Sequence, residues 1–216
     1  MSVTVKRVPF WKRVFLSEWM LRKSFSQKIA YVGMMTALLI VANMVLEFKF
    51  ADIQFSFTVF LSMLSGIVVG PVCGFFAAFL GDAIGFLYHS GGFVYMPWVG
   101  LSVATMALIA GLIMNLPFSF RGSCYIKLTI ACVLAFMLCT SLISTLGFYY
   151  YYRAIGFSEK SLSFISETFG VEINFFTYLG YRLLTGQLYI NLVNYALLFC
   201  AAPLLNAIKP LKLNIR

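Results

Sequence analysis

The chain has 216 residues, 62% of them hydrophobic and 11% charged, where an ordinary soluble domain carries about 25% charged residues. That balance excludes a soluble domain, and the apolar runs are too long and continuous for the alternating strands of a membrane barrel, so helices must cross the bilayer. The net charge of +9 lies mostly at the ends of the chain, which points to retention on the cytoplasmic side and away from nucleic acid.

Residues 1–27 form a basic N-terminal segment with Lys6, Arg7, Lys12, Arg13, Arg22 and Lys23. It lacks the apolar core and cleavage site of a secretory signal. Val8, Trp11, Val14, Phe15 and Trp19 share one face of a short helix, so the segment reads either as a cytoplasmic interfacial helix or as a disordered tail.

Residues 28–216 form the membrane domain. Apolar segments at about 29–47, 57–70, 72–88, 99–116, 128–150 and 180–206 predict six helices, the second and third short for a core of ~30 Å. An even number puts both termini on one side, the cytoplasmic side of a bacterial plasma membrane, together with the Gly70-Pro71 turn and the Arg121–Lys127 loop. The connections 48–56, 89–98 and 151–179 then face out. They hold Asp52, Glu159, Glu167 and Glu172 against Lys49, Arg153 and Lys160, a bias consistent with that orientation. The connection 151–179 is long enough to act as a lid or binding loop.

In the first span, Ala30, Gly33 and Ala37 recur at helical spacing. Such small-residue patterns admit another helix closely, either within the bundle or from a separate membrane protein. The third span, GPVCGFFAAFLGDAIGFLY, carries a small-residue face of Gly74, Ala77, Ala78, Gly81 and Gly85, with Asp82 beside it. A carboxylate in hydrocarbon costs on the order of 2.5–3.5 kcal/mol and normally faces a bundle interior or a polar cavity. Asp82 therefore either meets a ligand or bridges neighbouring helices.

The connection HSGGFVYMPW brings His89, Tyr95 and Trp98 to the outer surface. An interfacial aromatic belt accounts for such rings, and so does the sandwiching of a planar heterocycle. In the last span Arg182 suits a carboxylate or phosphate ligand, or else reaches the interface. Gln187, Asn191 and Asn194 form a polar stripe further along. Arg182 is opposite Asn191 on an unbroken helix, and Thr185-Gly186 is the place where the turn would loosen.

Cys73, Cys132, Cys139 and Cys200 fall in apolar segments and Cys124 in an inner loop, without a CxxC pair, so neither a disulfide nor a metal site is indicated. Phosphate-loop, HExxH and GxSxG motifs are absent. The chain is read as a non-enzyme without a cofactor.

The order of these motifs resembles the substrate-binding S components of energy-coupling factor (ECF) vitamin transporters, the folate branch above all. It comprises the small-residue motif of the first span, GPVCGFFAAFLGDAIGFL, the aromatic loop leading into PWVGLSVATMALIAGLI, and the arginine in YRLLTGQLYINLVNYALL. The resemblance covers about residues 28–206. It implies an all-α bundle of six transmembrane helices that captures a water-soluble vitamin from outside, folate or a related pterin first. Riboflavin, pantothenate or a queuosine precursor are the alternatives, and a rod-shape-type membrane scaffold is the competing class. It further implies assembly with a transmembrane T component and two cytoplasmic ATPases, the family's docking motif being carried by Gly33 and Ala37, with Ala30 allowing a shifted register. Substrate contacts are expected from Asp82, His89, Tyr95, Trp98, Arg182, Gln187 and Asn191. The proline that precedes the Arg-Leu pair in the folate branch is missing here, where the run is Gly180-Tyr181-Arg182-Leu183.

Overall fold

The computed structural model describes residues 14–45, 47–50, 53–88, 94–116, 123–170 and 172–207. It begins with a single helical turn, α1 (Glu18–Leu21), followed by α2 (Phe25–Val45). A two-stranded antiparallel hairpin, β1 (Glu47–Phe50) and β2 (Ile53–Ser56), leads into α3 (Thr58–Val68), α4 (Pro71–Tyr88) and α5 (Pro97–Met114). Helix α6 (Ser123–Ile155) is continuous but winds as a π-helix over Ala135–Ser144. After α7 (Glu159–Phe169) comes α8, which starts at Phe175–Arg182, passes through a π segment at Leu183–Gln187 and continues as Leu188–Ala207.

Five of these helices are long and apolar enough to cross a bilayer, namely α2, α4, α5, α6 and α8, and the shorter apolar α3 completes the six. The bundle is centred on α3, α4 and α5, which pack on one another, with α2 against α4 and α6 against α5. Small residues let these axes close up. A Cβ on Gly66 of α3 would fall onto the Ala107 carbonyl of α5, and the core beside this contact holds Met63, Leu128, Cys139 and Leu198 at full burial. The outer side of α2 is different. Ala30, Gly33 and Ala37 are exposed there among Ile29, Met34, Leu38 and Val41, and a Cβ on Gly33 would meet nothing within 4 Å.

Of the N-terminal segment, the part from residue 14 lies against the bundle. The Ser17 amide donates to the Val69 carbonyl at 3.0 Å and its hydroxyl to the Val68 carbonyl at 2.6 Å, which satisfies carbonyls that the end of α3 leaves without helical partners. Gly70, at φ 129°, admits the Leu16–Ser17 backbone where a Cβ would collide with it. Met20 is fully buried beside Met35, Val68 and Val69.

Two of the connections expected to face out carry regular structure that the span predictions left out. Residues 48–56 lie largely in the hairpin, with Phe48 opposite Phe55 and Lys49 opposite Gln54. The stretch 151–179 holds α7, which Ser158 caps by accepting from the Ser161 amide at 3.3 Å and which Gly170 ends in the left-handed region. Burial of Ile165 fixes α7 on the bundle. The start of the last span also shifts. A capping box of Asn174 and Thr177 starts α8 at Phe175, five residues before the predicted 180, which adds a little over one turn.

Candidate functional site

A cavity of about 290 Å³ opens where the end of α6, the start of α7 and the first turns of α8 converge. Its size is near the small end of the about 300–1,000 Å³ usual for ligand pockets. Helix α6 supplies Phe148 and Tyr152, α7 supplies Ser158 and Ser161, and α8 supplies Tyr178, Tyr181, Arg182, Thr185, Gly186, Gln187 and Ile190. Three local features bring these segments together. Gly156, at φ 104°, ends α6 and turns the chain back, the Ser158 cap starts α7, and the Asn174–Thr177 box aims the tyrosines of α8 inward.

The walls are aromatic. Phe148 and Tyr152 stack at 6.1 Å with planes 15° apart, and Tyr178 contacts Tyr152 at 6.4 Å and Tyr181 at 6.0 Å. Arg182 is set among them. Its guanidinium lies 4.2 Å from the centre of the Phe148 ring, a cation–π distance. Its Nη1 donates to Ser144 Oγ at 3.3 Å and to Thr145 Oγ1 at 3.4 Å. Among the described residues, no carboxylate pairs with it, and its other nitrogens have no hydrogen-bond partner.

The helix interruption explains how Arg182 and Gln187 share a wall. On an α-helix, residues five apart point about 140° away from each other, whereas the i to i+5 repeat of a π segment returns them towards one face. The Leu188 amide donates to the Leu183 carbonyl, and Gly186 leaves helical geometry altogether.

Of the residues singled out in the sequence, Arg182 and Gln187 line the cavity. Trp98 stands behind it, edge-on to Phe148 at 6.2 Å and tilted on Tyr151 at 5.7 Å. Asn191 is one turn below Gln187 and almost fully buried, donating to the Gln187 carbonyl at 2.7 Å and accepting from Thr140 at 3.4 Å.

Asp82 and Tyr95 belong to a second polar group away from the cavity lining. Asn43 Nδ2 donates to Asp82 Oδ1 at 3.0 Å, and the Tyr95 hydroxyl donates to Asp82 Oδ2 at 3.4 Å. Gly100 leaves the room, since a Cβ there would collide with both. Thr58 donates to Asn43 at 3.0 Å and shares a hydrogen bond with Ser56, while Asn194 donates to the Ser56 carbonyl and accepts from the Phe60 amide, both at 3.0 Å. The group thus ties the end of the hairpin to α2, α4 and α8. Burial, and then the Asp82 carboxyl group, push the Tyr95 phenol up to about 12, so it stays a donor through the neutral range. His89 lies outside the described residues.

Tyr152, Tyr178, Tyr181, Phe148, Ser158 and Ser161 were not singled out in the sequence. Their signal was present in the run Tyr149–Tyr152 and in the i, i+3 pair of tyrosines one turn before Arg182, but it is hard to tell from an interfacial belt.

A family model described as ECF-type riboflavin transporter, S component, matches residues 23–202. Among solved structures, one described as a crystal structure of FolT bound with folic acid superposes with a TM-score of 0.55 at 18% identity, covering 81% of this chain and 91% of that one. At that identity the likeness is one of fold. No curated protein sequence matches the chain significantly.

Proposed function

The chain belongs to the S-component family of ECF-type transporters, and on that premise we propose that its Arg182 cavity captures an anionic vitamin with a planar ring system, folate or a related pterin first. The family makes it a substrate-binding transporter subunit and not an enzyme. The observation that carries the ligand reading is Arg182 itself, a permanent cation held against a ring and two neutral hydroxyls, with no acid paired to it among the described residues. A buried charge left in that state is matched by an anion brought from outside. The tyrosine and phenylalanine walls supply flat surfaces for a heterocycle, and Gln187, Ser158 and Ser161 supply donors and acceptors for its edge.

Riboflavin is the second reading, favoured by the description of the matching family. It is a planar heterocycle without a carboxylate, and Arg182 would then serve a ring carbonyl. Calorimetric titration of the purified protein with folic acid and with riboflavin separates the two. Tight folic acid binding with weak or no riboflavin binding supports the first reading, and the reverse order replaces it with the second.

Uptake needs an energy source, for which the sequence carries no nucleotide motif. A T component and two ATPases are the partners we propose, with the exposed face of Ala30, Gly33 and Ala37 on α2 as the docking surface. The termini are assigned to the cytoplasm of a bacterial plasma membrane on the same reading, supported by the basic ends of the chain.

A further inference from the structure

A series of hydrogen bonds joins the π segment of α6, and the residue after it, to α8 on both sides of the π segment of that helix. Thr145 Oγ1 accepts from Arg182 Nη1 at 3.4 Å and donates to the Thr140 carbonyl at 2.9 Å, five residues back along the π turn. Thr140 Oγ1 donates to Asn191 Oδ1 at 3.4 Å, and Asn191 Nδ2 donates to the Gln187 carbonyl at 2.7 Å. Ser144 adds a second acceptor for Nη1 at 3.3 Å. Thr140, Thr145 and Asn191 are each no more than 2% exposed, so this series lies within the protein.

We infer that Thr140, Ser144, Thr145 and Asn191 form a clasp between α6 and α8 that positions the Arg182 guanidinium on the cavity wall without neutralising it, and so sets the site's preference for an anionic ligand. The chemistry of the partners is the reason. A carboxylate in place of Ser144 or Thr145 would hold the arginine as firmly but would consume its charge. Hydroxyls fix one nitrogen by neutral hydrogen bonds and leave the remaining donors and the full charge to the cavity. The π geometry supplies one link of the clasp, since it brings the Thr145 hydroxyl to the Thr140 carbonyl five residues back, and π segments recur at functional sites. These four are positioning residues, and none of the four lines the cavity.

The inference rests on the ligand reading above only for its binding consequence, and two measurements keep the two apart. The first uses no ligand. In full-length protein in lipid nanodiscs with ¹⁵N-labelled arginine side chains, the Arg182 signal is identified by its loss in Arg182→Lys. Hindered rotation of the guanidinium in the parent, relieved in Ser144→Ala/Thr145→Val and restored in Ser144→Ala/Thr145→Ser, supports the clasp. Equal rotation in all of them overturns it, and matching melting temperatures among the variants exclude misfolding as the cause. The second titrates folic acid and riboflavin. Ser144→Ala/Thr145→Val is expected to weaken folic acid roughly five- to tenfold and riboflavin, which would meet Arg182 only through a neutral carbonyl, by less, with part of the loss regained by Thr145→Ser. A parent protein that takes up no folic acid defeats the ligand reading, while the rotation measurement still decides the clasp. Equal weakening of both ligands overturns its role in charge preference.

Discussion

On the proposed function, one arginine without an acidic partner among the described residues separates a cavity that attracts an anion from one that merely admits a flat molecule. Removing a hydrogen bond to a charged group costs about 1.5–3 kcal/mol, so Arg182→Ala should weaken folic acid by that amount, seen by calorimetry as a loss of at least tenfold in affinity. Unchanged affinity removes Arg182 from the binding contact. Tyr95 poses a different question. Its long hydrogen bond to Asp82 is worth about 0.5–1.5 kcal/mol, and Tyr95→Phe should lower the thermal stability of the purified protein accordingly without touching folic acid affinity. Because the folded phenol is raised to about 12 from an ordinary value of about 10, the raised pKa favours the folded state up to about pH 10 and is lost as pH rises through the folded value. The destabilisation should therefore be the same at about pH 6 and pH 9. A difference between those two pH values, or a fall in affinity, contradicts this placement.

At the scale of single elements, the glycines divide by what surrounds them. Gly66 sits under a backbone carbonyl of α5, and Gly33 has open space above it. The first needs its missing side chain for the bundle itself. The second does not, and on the proposed function its use is a close approach by another helix. Gly33→Leu should consequently keep the melting temperature and folic acid affinity of the parent while abolishing co-purification with the T component, and Gly66→Ala should lower the yield of folded protein. Recovery of the Gly33→Leu complex at parental yield would move the docking surface elsewhere on the bundle. Elements also mark where sequence reading succeeds. The long apolar helices and the small-residue seam of α4 were legible, because hydrocarbon thickness and helix packing impose strong periodic constraints. The hairpin was not, since alternation over two four-residue strands is too short to stand out inside a connection between spans. Helix α7 was hidden for a related reason: its apolar face is narrow, with Ser161 and Ile165 buried and mainly polar residues around them.

For the whole molecule, the site is built from late parts of the chain on a frame built from early ones. Helices α2 to α5 make the packed frame, and the ends of α6, α7 and α8 make the cavity. The sequence disclosed Arg182 and Gln187 as polar groups in an apolar helix, but their common wall depended on the π segment, and Thr185-Gly186 was its sole visible trace. Asp82, the most conspicuous residue of the sequence, joins the hairpin to the frame through Asn43 and Thr58 and stands apart from the cavity lining. Residue type alone signals that an intramembrane carboxylate has a partner, and only the coordinates say which.

Native mass spectrometry of the protein purified from its producing cells, before and after addition of folic acid, tests the anion-capturing cavity most directly. The expected result is one small molecule of folate or pterin mass per chain in the parent, and markedly less retained in Arg182→Ala at the same ligand concentration. Ligand-free parent protein that takes up no folic acid, or equal retention by the two proteins, would contradict the account.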